Sequence, residues 1–197
     1  MVMSKRIMAV HSNVLYKIFT NDIDKSKSNF CLPTVPGIAL VLILDWIESG
    51  ELALTWTNVI DVLETAEFLD IPLVSSLCQE WLEVRMTTDN VLGIWRFARD
   101  HFLPALEKTA WHLMTSRFVE IYKEEEFSEL PAEMLKMLLV SDHLSCEEEE
   151  VWEGLMVWVR NNNRDMVEVA QIMETIRFRL VEPDFYLRRV FPRLRKF

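Results

Sequence analysis

From Thr55 to Val159 the apolar residues return at intervals of three and four, stripe after stripe, with little between them that could turn a strand. The chain of 197 residues has four glycines and seven prolines. A fold of many short strands needs more of both at its turns. Val59, Val62, Leu63, Ala66 and Leu69 form one stripe, with Thr55 as its expected N-cap. Val74, Leu77, Cys78, Trp81 and Leu82 form a second behind Pro72, and the two predict a helical hairpin. Val91, Ile94, Trp95, Ala98 and Phe102 continue the series, followed by Leu106, Ala110, Leu113 and Met114. Val151, Leu155, Trp158 and Val159 close it. No fixed period is read between these helices, so a bundle is expected rather than a repeat array recognisable by motif. The expected fold class is mainly α.

Ahead of Thr55, Ser4 to Thr20 predicts one helix carrying Ile7, Met8, Leu15 and Phe19, followed by a polar loop, NDIDKSKSN. Phe30 to Val35 reads as a short extended piece checked by Pro33 and Pro36, and Ile38 to Ile47 as a largely buried helix ended by Gly50. Phe30 to Pro33 and Glu51 to Leu54 offer at most one short extended pair. Further on, the sequence SCEE at Ser145 to Glu148 predicts a capping box, and the glutamates from Glu147 to Glu150 sit where the helix dipole favours anions.

Half of the residues are hydrophobic and seven are tryptophan, which is enough for a substantial core. Trp81, Trp95, Trp111, Trp152 and Trp158 lie on or beside the stripes, so they are expected in that core rather than on a stacking platform for single-stranded nucleic acid. The formal charge is -10, although Arg177 to Phe197 holds seven basic residues against two acidic ones. An acidic body repels phosphate, so no nucleic-acid partner is expected. The longest apolar run, Gly37 to Leu44, stops at Asp45, far short of the ~20 residues of a membrane span, so no membrane partner is expected. Cys31, Cys78 and Cys146 are odd in number and scattered, and no charged stretch followed by an apolar one opens the chain. A cytoplasmic location is expected.

Little in the sequence points to chemistry. His143 and Cys146 stand three residues apart without a second pair at zinc-like spacing, and His11, His101 and His112 are isolated. The acids at Glu124 to Glu126 and Glu147 to Glu150 are adjacent in sequence, so on a helix they point in different directions. There is no GxSxG, P-loop or GxGxxG. The expectation is no enzyme: no catalytic residue, no cofactor and no metal.

Several segments occur in an order that resembles the BTB–BACK region of Kelch-like proteins. VLYKIFT at Val14 to Thr20 is similar to the family's YFxxMFT, and FCLP followed by LVLILDWIESGELAL to its short strand and hydrophobic helix with a YTG-like turn. NVIDVLETAEFLDI, LCQEWL and NVLGIWRFA resemble NVxxLLxAAxxLQ, CxxFL and NCLGIxxFA. The likeness continues through RFVEIYKEEEFSELPAEMLKMLLVSDHLS, VWEGLMVWVRNNNRD and IRFRL. It implies a partial BTB (POZ) fold followed by an all-helical BACK domain. The implied division is residues 1–86, a truncated BTB domain with its trailing helical hairpin; residues 87–190, the BACK domain; and residues 191–197, a basic tail. No Kelch repeats are expected in this chain.

The resemblance also implies a function: a protein–protein interaction scaffold like the substrate-adaptor subunit of a cullin-3 RING ubiquitin ligase. Its partners would be cullin-3 and other BTB proteins. The cullin-facing residues it implies are Tyr16, Phe19, Ile23, Asp24 and Lys25. Ile23 keeps the family's hydrophobe, whereas Lys25 stands where cullin-3 binders carry glutamate, and that contact is expected to be weakened. One alternative is a degenerate or truncated paralogue, a decoy that binds BTB partners without recruiting cullin. Another is a helical enzyme, which would need a pocket of convergent titratable groups.

Overall fold

A computed structural model describes residues 5–20, 32, 35–160 and 166–195, and they divide into two compact units, Met1–Arg85 and Met86–Phe197. Among the described residues there are helices and turns but no strand. The mainly α expectation holds. Glu51 to Leu54 is irregular, and Phe30 to Pro33 lies, except for Leu32, outside the described residues.

The first unit contains α1 (Lys5–His11), α2 (Asn13–Thr20), α3 (Gly37–Ser49), α4 (Val59–Phe68) and α5 (Pro72–Val84). The single helix expected over Ser4 to Thr20 is broken at Ser12, whose hydroxyl accepts a hydrogen bond from the Leu15 N–H at 3.0 Å. Ser12 is the N-cap of a new helix, because its short side chain satisfies a backbone donor that would otherwise be orphaned. Helix α3 ends as expected at Gly50, in the left-handed region at φ 78°, with its N–H bonded to the Trp46 carbonyl at 2.8 Å. It is not largely buried: Ala39 and Ile43 face inward, while Ile38 is 75% exposed and Val41 also faces outward. The apolar run from Gly37 to Leu44 hides a one-sided helix. Nor is Thr55 the cap of α4. The Asn58 carboxamide accepts from the Thr55 N–H at 2.8 Å and donates to the Ala53 carbonyl at 3.1 Å, so a turn over Thr55–Asn58 precedes the helix.

One plan is used twice. Helices α6 (Val91–Asp100) and α7 (Pro104–Ser116) open the second unit, and each of their limits lies 32 residues beyond those of α4 and α5 (59 to 91, 68 to 100, 72 to 104, 84 to 116). The entry turn repeats, with the Asn90 carboxamide accepting from the Thr87 N–H at 2.9 Å. The reversal repeats as well. The Ile71 N–H reaches the Ala66 carbonyl at 2.9 Å and the Asp70 N–H that of Glu67 at 3.1 Å; Leu103 reaches Ala98 at 2.8 Å and Phe102 reaches Arg99 at 3.3 Å. Each pair is a Schellman turn, closed by a left-handed residue and followed by proline. Those residues are Asp70 at φ 53° and Phe102 at φ 55°. Val59, Val62, Leu63, Ala66, Ile71, Val74, Cys78 and Leu82 are buried, and so are Val91, Ile94, Trp95, Ala98, Leu103, Leu106, Ala110 and Met114. A fixed period therefore does relate these hairpins. It went unread because few identities carry it: Thr55, Asn58, Val59, Ala66 and Pro72 recur as Thr87, Asn90, Val91, Ala98 and Pro104.

The second unit continues with α8 (Phe118–Ile121), a 3-10 turn (Glu125–Glu129), α9 (Ala132–Val140), α10 (Glu148–Arg160) and α11 (Met166–Met173). It ends in α12 (Pro183–Phe185), a π turn (Tyr186–Val190) and α13 (Phe191–Leu194). Its core holds Trp95, Leu138, Val151, Trp152 and Trp158, whereas Leu113, Trp111 and Val159 are only partly buried. The Trp158 indole N–H donates to the Leu130 carbonyl at 2.7 Å, which lets the largest side chain go inside without an orphaned donor. Helix α10 starts at Glu148, so the capping box expected from Ser145 is replaced: the Ser145 N–H instead donates to the Thr115 carbonyl at 2.9 Å. Glu148, Glu149 and Glu150 fill its first turn, and each also ties a different segment. Glu148 accepts from the Arg177 N–H at 3.2 Å, Glu149 from the Glu182 N–H, and Glu150 from the Tyr122 hydroxyl at 2.6 Å.

Two substitutions test this account. Phe102 is 88% exposed yet holds the left-handed position that favours glycine. Phe102→Gly is expected to raise stability by about 0.5 to 1 kcal/mol in a denaturant melt, since relief of a strain of roughly 1 to 2 kcal/mol exceeds glycine's extra entropy loss. Gly154 lies where a Cβ would come within 2.7 Å of the Phe118 ring. Gly154→Ala, usually favourable in a helix, is expected here to lower stability by about 1 to 3 kcal/mol through overpacking.

Candidate protein-interaction site

Of the five residues expected to face a partner, Tyr16 and Phe19 lie on α2, three positions apart and on the same side of the helix. Tyr16 is 54% exposed and Phe19 is half-buried. Ile23, Asp24 and Lys25 lie outside the described residues. The structure thus places two of the five on one helix face.

The position of that face depends on a contact that sequence reading missed. The Ser12 hydroxyl donates to the Leu69 carbonyl, and the Asn13 amide donates to an Asp70 carboxylate oxygen at 2.7 Å. Both acceptors belong to the reversal between α4 and α5. The last carbonyls of a helix need partners, and a left-handed residue turns its side chain outward, where Asn13 meets it. Leu15, one turn on, buries its side chain. Thr20 ends the described part of the helix with its hydroxyl bonded to the Tyr16 carbonyl at 2.8 Å. A Ser-Asn pair at the break between two apolar stretches was the available signal, hidden because the stretches share a helical period.

The rest of the described surface brings no catalytic constellation together. No group of three or more His, Cys, Asp or Glu residues is placed to hold a metal among the described residues. His143 is exposed and Cys146 half-buried, and burial, helped by Glu148 and Glu150, pushes the Cys146 thiol up to about 11. Burial pushes Cys78 up to about 12. Neither thiol is a thiolate at neutral pH, so neither is primed as a nucleophile. The Tyr122 hydroxyl is likewise raised, by burial first and then by its bond to Glu150. No helix of the described residues is long and apolar enough to cross a membrane.

The N-terminal pin gives a direct test. Ser12→Ala removes both the cap of α2 and the donor to Leu69. It is expected to cost about 1 to 3 kcal/mol in denaturant unfolding, with helical signal near the N-terminus lost first.

Comparison with known proteins places these elements. Residues 2–85 match the BTB/POZ domain and residues 91–191 match the BACK domain, described as BTB And C-terminal Kelch. Kelch-like protein 41 of Homo sapiens is 31% identical over 183 residues, covering 91% of this chain and 30% of that protein. Kelch-like protein 6 of Homo sapiens is 29% identical over 187 residues, covering 93% and 30%. Kelch-like protein 41b of Danio rerio is 32% identical over 187 residues, covering 92% and 31%. The chain therefore spans about a third of the length of the relatives it matches.

Proposed function

We propose that this chain, which belongs to the BTB–BACK family of Kelch-like proteins, works as a protein-interaction scaffold related to the adaptors of cullin-3 ubiquitin ligases. The observation that carries the reading is the BTB match at residues 2–85 followed directly by the BACK match at residues 91–191. Such a scaffold makes and breaks no covalent bond. Its contribution is proximity, which turns an encounter between two partners into an almost intramolecular event. The cullin-facing surface of this reading consists of Tyr16 and Phe19 on α2, with Ile23, Asp24 and Lys25 beyond it. A cytoplasmic location and other BTB proteins as partners belong to the same proposal.

Lys25 stands where the resemblance implies a glutamate in cullin-3 binders. An ammonium has three donors and no acceptor, so it cannot take the hydrogen bonds that a glutamate accepts. This residue favours a second reading, in which the chain binds BTB partners without recruiting cullin.

Calorimetric titration with the N-terminal domain of cullin-3 separates the two. Under the adaptor reading the unmodified chain binds weakly, and Lys25→Glu strengthens binding by about 1 to 3 kcal/mol as a charge-assisted hydrogen bond returns. Absence of binding by both forms selects the decoy. Tight binding by the unmodified chain, unmoved by Lys25→Glu, removes the role given to Lys25.

A further inference from the structure

The repeated hairpin supplies its own control for reading surfaces. Leu77 and Trp81, which the spacing places in one stripe with Val74, Cys78 and Leu82, are not buried with them: together with Leu73 and Val84 they form a stripe along α5 beside that buried face. All but the half-buried Trp81 are exposed. The matching positions on α7 are Ala105, Thr109, Leu113 and Ser116, with the same order of exposure. On one backbone plan, then, solvent-facing positions are small or polar in the second hairpin and large and apolar in the first. The plan does not demand that apolar surface, and a stripe of this kind marks a place where something binds.

The stripe borders a groove of about 320 Å³ lined by Leu52, Leu54, Leu77, Trp81 and Val84 together with Glu80 and Arg85, the Arg85 guanidinium lying 4.3 Å from the centre of the Trp81 ring. Trp56, more than half exposed, meets Trp81 edge to face at 4.8 Å. Charge separates the hairpins in the same way. Glu64, Glu67 and Glu80 occupy positions held by Arg96, Arg99 and His112 in the second hairpin. From Val59 to Arg85 the first carries Asp61, Glu64, Glu67, Asp70, Glu80 and Glu83 against Arg85 alone. An apolar stripe three helical turns long, set in an acidic field, is complementary to an amphipathic segment of the opposite sign.

We propose that the α5 stripe and the adjoining groove dock a basic amphipathic helix of a protein partner, whose apolar residues meet Leu73, Leu77, Trp81 and Val84 while its lysines or arginines face the surrounding carboxylates. This surface is distinct from the α2 face of the adaptor reading and does not depend on cullin binding.

The probe is a synthetic 15-residue helical peptide with leucines at i, i+4, i+7 and i+11 and lysines elsewhere, compared with the same peptide carrying glutamates for lysines. Fluorescence anisotropy with the full chain is expected to show binding of the lysine peptide alone, weakening as salt rises. The double substitution Leu77→Thr with Val84→Ser, copied from Thr109 and Ser116, is expected to weaken it at least tenfold with little change in melting temperature. Glu80→Lys, at an exposed position, is expected to weaken the lysine peptide and strengthen the glutamate one. The proposal fails if the double substitution leaves affinity unchanged, or if the glutamate peptide binds equally well. It also fails if the stripe serves instead to join copies of this chain, which sedimentation would reveal as self-association abolished by the same double substitution.

Discussion

At Asp70, and again at Phe102, the backbone passes through the left-handed region and closes two hydrogen bonds back onto the helix it has just left. Much else depends on that geometry. It reverses the chain within four residues, so that the stripe of α4 faces that of α5 and the stripe of α6 faces that of α7. Proline follows each reversal and fixes the first residue of the returning helix, where its missing N–H costs nothing. In the first unit the same turn presents the Leu69 carbonyl and the Asp70 carboxylate to Ser12 and Asn13. The helix carrying Tyr16 and Phe19 is thereby held at its N-terminus by a turn 57 residues away.

The second unit resolves a different problem, which is how two tryptophans and a glutamate run share one helix. Trp152 and Trp158 are fully buried on α10, and Trp95 packs in the same core. Packing this bulk leaves room for no side chain at Gly154, where the Phe118 ring presses on the helix backbone. The glutamates at the start of that helix do more than answer its dipole. By accepting from Arg177, Glu182 and Tyr122 they fasten two segments that follow α10 in sequence and one that precedes it. Acids that look redundant in sequence are distinguished by the 100° turn between successive helical residues, which sends each to a different neighbour.

Most of the helices could be read from spacing, because a stripe buried on one side leaves its period in the sequence. Val59, Val62, Leu63, Ala66 and Leu69 are all buried, as that period requires. What could not be read was what interrupts a period or begins it. Ser12 breaks a helix whose apolar residues continue in phase, Asn58 moves a start from Thr55 to Val59, and Phe102 sits in register with a stripe yet faces solvent because the backbone has already turned left-handed. Helix α3 misled for the opposite reason: with apolar residues on every side it has no period to read, and its exposed Ile38 resembles its buried Ala39. Of the candidate site, Tyr16 and Phe19 were placed through resemblance, whereas the contact that orients their helix is made by two small polar residues that no stripe includes.

The 32-residue plan also bears on how the chain reaches its native state. Within each hairpin the buried residues of one helix meet those of the next across a three-residue connection, so contacts form between stretches already close along the chain. Proteins built from such near-neighbour contacts pay little loop entropy before their first rewards and reach the folded state on microsecond to millisecond timescales. Two independent hairpins of this kind provide two sites where ordering can begin. The tie from Ser12 to Leu69 spans 57 residues of the first unit and can close only after the hairpin that supplies its acceptor has formed. The helix bearing Tyr16 and Phe19 should therefore be among the last elements of that unit to settle, and among the first to be released when it opens.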